Sequence, residues 1–207
     1  MRSYKKNNKY HLKKETTTKY YKYEYEPWEQ PVLTSNNTIG DDLFAVTSTV
    51  GTDVEGSTDK NTAYLAFDDD LETYFSMHYS SSSDIQRLTF YNPIPISFSS
   101  LSVTFLQNSY ATWCWRTGTL EGSDDNLNWT TISTFTNSSN TLEIEGDITK
   151  FYKYYRISTT GTVYASDYRQ ANMTNITFNG ANQKTIIEAS SEDYDFITQE
   201  TKYFAFR

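Results

Sequence analysis

The chain has 207 residues, of which 37% are hydrophobic and 16% aromatic, enough for one medium domain with a sizeable core plus extensions. The single cysteine, Cys114, excludes an intrachain disulfide, and 26 acids against 18 bases weigh against a nucleic-acid-binding body. No apolar run approaches the roughly 20 residues of a membrane span, and no signal-peptide segment is evident at the start.

Residues 1–26 form a basic, Tyr-rich N-terminal arm. Residues 1–23 hold eight of the 18 Lys and Arg, among them Lys13, Lys14, Lys19 and Lys22, against one acid, Glu15. Such a run is extended and self-repelling. It could meet nucleic acid or a membrane surface, but Tyr20, Tyr21, Tyr23 and Tyr25 suit it better to lying along another subunit. Pro27 and Pro31, flanking Trp28, then restrict the backbone to an extended path and open the folded body, residues 27–180.

Within the body, an aromatic run from Ala63 to Phe75 meets three consecutive carboxylates, Asp68, Asp69 and Asp70. Three adjacent acids repel one another, so they sit either in a solvated turn or around a hard cation. Short β-like runs follow, separated by turn residues. Leu101, Val103 and Phe105 alternate with Ser102 and Thr104, a period-2 pattern. Further runs fall at Ile85–Tyr91, Trp115–Glu121, Asn128–Phe135, Leu142–Glu145, Tyr152–Ser158 and Met173–Phe178. Asn92-Pro93, Gly122–Asn126, Thr136–Asn140 and Gly146-Asp147 read as turns between them. No stretch of a dozen residues has a helical period. The pattern predicts an all-β sandwich or jelly roll. Trp129, Tyr155 and Ile157 read as core, and Arg156, pointing the other way from its neighbours, could pair with Glu121. Residues 181–207 mix Ile186, Ile187, Tyr194, Phe196, Ile197, Tyr203 and Phe204 with acids. That is too apolar for a free tail, so this C-terminal extension is expected to dock on the domain or on a neighbour.

Three segments carry a family resemblance. Ala63–Phe75 (AYLAFDDDLETYF) resembles the opening motif of discoidin domains and family 32 carbohydrate-binding modules. Leu120–Ile132 (LEGSDDNLNWTTI) is similar to their hairpin, and Tyr154-Tyr155-Arg156-Ile157 to their Tyr-Tyr-Arg strand. Their order and spacing imply a galactose-binding-like jelly-roll β-sandwich over about Trp28–Gly180. The stretch from Trp28 to Val46 also resembles such modules in bacteriophage tail and appendage proteins.

The resemblance implies a structural Ca²⁺ held by the Leu65 carbonyl, Asp68, Asp70 and Thr73, and closed by Thr174 and Asn175. Asn175 stands where the family has Glu, and Asp69 replaces a Gly. It also implies sugar binding by loops at one end. Aromatic rings suit the apolar face of a sugar, and planar polar groups suit its hydroxyls. Residues of those types are His78, Tyr110, Trp113, Arg116, Tyr164, Tyr168 and Arg169, with one of Trp113 and Trp115 expected in the core.

No phosphate-cradling glycine loop, Cys/His cluster or nucleophile elbow is present, and neither His11 nor His78 has a nucleophile at a fixed spacing, so no enzymatic activity is expected. Two functional classes remain. One is a virion-associated attachment module gripping cell-surface glycans in several copies. The other is a virion assembly or decoration protein whose arm and extension (residues 1–26 and 181–207) bind neighbouring subunits. Either would be a homo-oligomer or multi-copy component, made in the host cytoplasm without a signal peptide.

Overall fold

Alternation of apolar and polar residues builds most of the described part of the chain from strands. The computed structural model describes residues 11–35, 45–49, 60–78, 85–106, 114–160 and 170–206. In chain order the strands are β1 His11–Pro27, β2 Ala45–Thr49, β3 Phe75–His78, β4 Ile85–Ser97, β5 Ser100–Phe105, β6 Thr117–Ser123, β7 Thr130–Thr136, β8 Thr141–Glu145, β9 Tyr152–Thr160, β10 Gln170–Asn179, β11 Asn182–Glu188 and β12 Phe196–Phe206. A short 3-10 helix, Lys60–Ala66, precedes the Asp triplet; at seven residues it is too short to leave a periodic signal. The chain divides into two units, Tyr25–Lys184 and Met1–Glu24 with Thr185–Arg207.

The larger unit is an antiparallel sandwich. One layer runs β11-β4-β9-β6-β7, with β2 also pairing with β4, and the other runs β3-β10-β5-β8. In β5 and β8 every second residue is buried, Leu101, Val103 and Phe105 on one strand and Leu142 and Ile144 on the other. Across the layers they meet Leu88, Phe90, Leu120, Tyr155 and Ile157. Phe178 packs edge-on against Trp28, Phe90 and Phe98, with centroids 5.6, 5.4 and 4.8 Å away. Each such aromatic contributes about 1.5–3 kcal/mol by burial. Trp115 is fully buried in the core, while Trp113 lies outside the described residues. Cys114 beside it is also buried, and burial pushes its thiol pKa up, which fits a packing residue.

Four readings of the sequence change. The expected turn at Asn92-Pro93 lies inside β4, where the register with β9 is irregular between Tyr91 and Ile96, and Asn92 Nδ2 donates to the Ile94 carbonyl at 2.6 Å. An irregularity of this kind accommodates prolines that a regular ladder would reject. Trp115 precedes β6 rather than starting a strand. Trp129 is half-buried rather than in the core. The basic arm is not a lone extended chain: from His11 it is β1, paired with β12 over eleven residues, from His11–Phe206 to Tyr21–Phe196. Lys19 and Lys22 pair with Glu188 and Asp193 at 3.2 and 3.3 Å, and Tyr21 stacks on Phe196 at 5.4 Å. The self-repulsion of the arm is answered by acids of the extension.

The hairpin motif has a physical explanation. Asp125 Oδ1 accepts the backbone N–H groups of Leu127 and Asn128 at 2.9 and 2.8 Å, and Asn126 takes the left-handed conformation (φ 60°) that the turn needs. These bonds, the Asn128 N–H foremost, hold the Asp125 carboxyl well below the usual carboxylate range. At Gly122 any Cβ would collide with the ring of Tyr152, which accounts for the glycine.

Candidate functional site

The strand registers bring three connections to one end of the sandwich. Ile85, Thr160, Thr117 and Thr136 form one row across β4, β9, β6 and β7. On the facing layer His78 pairs with Gln170, and the Leu106 N–H donates to the Asn172 carbonyl at 2.8 Å. The segments 79–84, 107–113 and 161–169 therefore begin and end at neighbouring stems. Tyr110, Trp113, Tyr164, Tyr168 and Arg169 lie in these segments, outside the described residues, and so does the side chain of His78. Of the sugar candidates, Arg116 alone is described in full. It is half-buried, its carbonyl accepts the Asn137 N–H at 2.7 Å, and its guanidinium donates to the Asn137 carbonyl at 3.2 Å. These two hydrogen bonds tie Arg116 to the start of the β7–β8 connection.

Beside that row, on the outer face of the first layer, lies an open groove of about 430 Å³ lined by Ile85, Arg87, Thr119, Glu121, Arg156 and Ser158. The alternation that turns Leu88, Leu120 and Ile157 inward turns these polar residues out. Arg156 Nε donates to Glu121 Oε2 at 2.9 Å, Ser158 Oγ donates to the same oxygen at 2.7 Å, and the guanidinium sits 4.0 Å from the Trp129 ring centroid. Burial acts to raise the Glu121 pKa, but the bonds from Arg156 and Ser158 and the Arg156 and Arg87 charges outweigh it, so the net shift is downward and the carboxylate stays charged. The groove offers planar guanidinium and carboxylate groups with hydroxyls between them. Sequence reading missed Arg87, Thr119 and Ser158, although the period-2 pattern around Leu88 and Ile157 already turns them outward.

The Asp triplet forms a closed turn. Asp68 Oδ1 accepts the Asp70 N–H at 3.1 Å, and Asp68 Oδ2 accepts the Thr73 hydroxyl at 2.7 Å. Asp70 Oδ1 accepts the Glu72 N–H at 2.9 Å. Asp69 adopts φ 58°, the left-handed conformation that glycine takes most readily. Leu65, in the 3-10 helix, packs against the core. Thr174 is buried and donates to the Thr104 carbonyl at 3.3 Å, and Asn175 follows at a register shift in β10. Among the described residues no group of three or more His, Cys, Asp or Glu is placed to hold a metal ion. The donors fit Ca²⁺ in type, all hard oxygens, but with two carboxylates they fit only a weak site.

The fold is the jelly-roll β-sandwich of discoidin-like carbohydrate-binding modules. Among solved structures, the C-terminal domain of a chitobiase from Bacteroides fragilis matches with a TM-score of 0.50 at 13% identity, over 71% of this chain and 95% of that one. The module CpGH89CBM32-5 of Clostridium perfringens, in complex with GalNAc-β-1,3-galactose, matches with a TM-score of 0.49 at 15% identity, over 64% of this chain and 92% of that one. The family 32 module of C. perfringens NanJ, in complex with galactose, has the same score and identity over 69% of this chain and 93% of that one. At these identities the likeness is one of fold. No family model matches the sequence, and no curated protein matches it. Among the described residues no helix is long and apolar enough to cross a membrane.

Proposed function

We propose that the protein is a non-catalytic glycan-binding module of a virion, a tail or appendage component that attaches to host-surface saccharides. The observation that carries the glycan reading is the convergence at one end of the sandwich of the stems of three connections. In sequence those connections hold Tyr110, Trp113, Tyr164, Tyr168 and Arg169, and the groove of Arg87, Glu121 and Arg156 lies beside the stems of β4, β6 and β9. Aromatic platforms next to planar polar groups and hydroxyls are what saccharide recognition needs. The virion setting is supported by the resemblance of Trp28–Val46 to phage appendage modules. The test is a glycan array probed with the full chain at high valency. Binding that is lost in Trp113→Ala and Tyr168→Ala, with the fold intact, supports the reading, and no binding to any glycan overturns it.

A second reading, a virion assembly or decoration protein that binds no sugar, is favoured by the paired arm and extension, which leave Tyr203 and Phe204 exposed at 66% and 47%. Assembly defects on deleting residues 1–23, without glycan binding, would select it. A Ca²⁺ at the Asp68–Thr73 turn is a separate proposal. Its ligands would be the Leu65 carbonyl, Asp68, Asp70, Thr73 and the side-chain carbonyl of Asn175, and its role would be structural.

A further inference from the structure

Strand β12 uses one edge to pair with β1 in unbroken register over eleven residues, and among the described residues no strand covers its other edge. An open edge presents unpaired N–H and C=O groups to any strand that fits. Natural edges are guarded by prolines, bulges, short length or several lysines. Phe196–Phe206 has no proline or glycine and a single lysine, Lys202. It also displays Ile197, Tyr203 and Phe204, exposed at 45%, 66% and 47%.

We propose that this edge joins two copies of the chain, β12 antiparallel to β12, about a two-fold axis through Thr201. The sequence is matched to that axis. Glu200 of each copy falls opposite Lys202 of the other, Gln199 opposite Tyr203, and Thr198 opposite Phe204. Glu200 and Lys202 are already paired within the strand, Lys202 Nζ lying 3.3 Å from Glu200 Oε1, so both stand on one face. The axis thus creates a square of four alternating charges, the favourable cross-strand arrangement. Moving the axis one residue either way sets Glu200 against Glu200 or Lys202 against Lys202, which is unfavourable. Charge therefore selects both the partner, a second copy, and the register. The inference is independent of sugar binding, though a dimer would present two sandwiches to a multivalent surface.

The test is the mass of the full chain in solution across a concentration series. A dimer is expected. Glu200→Lys alone and Lys202→Glu alone should each raise its dissociation constant ~10-fold, and the double exchange should restore it, since it rebuilds the opposite-charge pairs. Thr201→Cys should give a disulfide-linked dimer under mild oxidation, because the axis brings the two introduced thiols together, while Cys114 is buried and does not compete. Circular dichroism establishes that each variant is folded. A monomer at about 100 µM, far above the dissociation constant of a stable pair, overturns the inference. So does a dimer indifferent to both single exchanges, or a folded Thr201→Cys variant that fails to cross-link.

Discussion

The guanidinium of Arg156 lies over the indole of Trp129, 4.0 Å from the ring centroid, while its Nε holds Glu121 at 2.9 Å. Two conspicuous residues of separate motifs thus meet on the outer face and hold β9, β6 and the hairpin turn together. A lysine would keep the charge but lose the flat stack and the directed N–H. Arg156→Lys is expected to cost about 1–2 kcal/mol in urea unfolding, because the pair is only partly screened by solvent. A loss no larger than that of an exposed surface substitution would show that the stack contributes nothing.

Glu121 adds a pH dependence. Its folded-state pKa lies below the unfolded value of about 4.3, so its contribution is present above that value and is lost as pH falls through the folded one. Glu121→Gln should destabilise by ~1.5–3 kcal/mol at neutral pH, since the Arg156 charge stays behind without its partner. The gap between wild type and variant should then narrow on acidification. Thermal melts from pH 7 down to about 3 check this, and a gap constant across the range would contradict the assignment.

Gln30 ties the opening segment to β10 with both ends of its amide: Nε2 donates to the Ile176 carbonyl at 2.8 Å, and Oε1 accepts the Phe178 N–H at 2.9 Å. It thereby satisfies a strand edge that no strand covers at that point among the described residues, and seats Trp28 against Phe178. Gln30→Ala leaves a backbone donor and acceptor unmatched, for an expected loss of about 1–3 kcal/mol. Gln30→Glu should cost at least as much, because a carboxylate cannot donate to the Ile176 carbonyl. Equal stability of Gln30→Glu and wild type would rule out the two-ended bond.

Much of the fold was legible because period-2 burial is local: Leu101, Val103 and Phe105 announce β5, and Tyr155 and Ile157 announce β9. The Arg156–Glu121 pair was legible for the same reason, since both residues point away from the core. What the sequence hid was non-local. Nothing in residues 11–21 alone reveals that residues 196–206 are their partner, because pairing across the whole chain depends on complementarity and not on any local period. The β4 irregularity was hidden because Pro93 and Pro95 signal a break whether the strand ends or buckles. Trp129 was misread because an amphipathic ring satisfies either a core or an arginine. As for the candidate site, its residue types could be read in the sequence, while the groove needed the register of β4, β9 and β6 to bring Arg87 to Glu121.

The arm and the extension depend on each other through aromatic contacts. Phe196 touches Tyr21 at 5.4 Å and Tyr23 at 5.2 Å, and Tyr20 meets Tyr194 edge-on at 4.9 Å. The flanking ion pairs, Lys19–Glu188 and Lys22–Asp193, are exposed and contribute little. Phe196→Ala should therefore speed amide exchange throughout β1 and β12, while Lys19→Ala should hardly change it. The main unfolding transition of the sandwich should stay within about 2 °C in both variants. Slowed or unchanged exchange in Phe196→Ala would mean that the aromatic contacts do not hold the pair.

The Asp68–Asp70 turn gives the metal a sharp test. Its hydrogen bonds among Asp68, Asp70, Glu72 and Thr73 close it without a cation, and Asn175 supplies no charge, so the proposed site has two carboxylates where tighter sites have more. A site so constituted belongs to the ~10⁻⁴–10⁻³ M class. The melting temperature is then expected to rise only in millimolar Ca²⁺, by mass action on the folded state, and to be insensitive to EDTA in metal-free buffer. Asn175→Glu restores the missing charge and should shift the response to lower Ca²⁺, whereas Asp68→Asn should abolish it. No rise at about 10 mM Ca²⁺ in either the wild type or Asn175→Glu removes the cation from this protein and leaves the triplet as a turn that closes on its own hydrogen bonds.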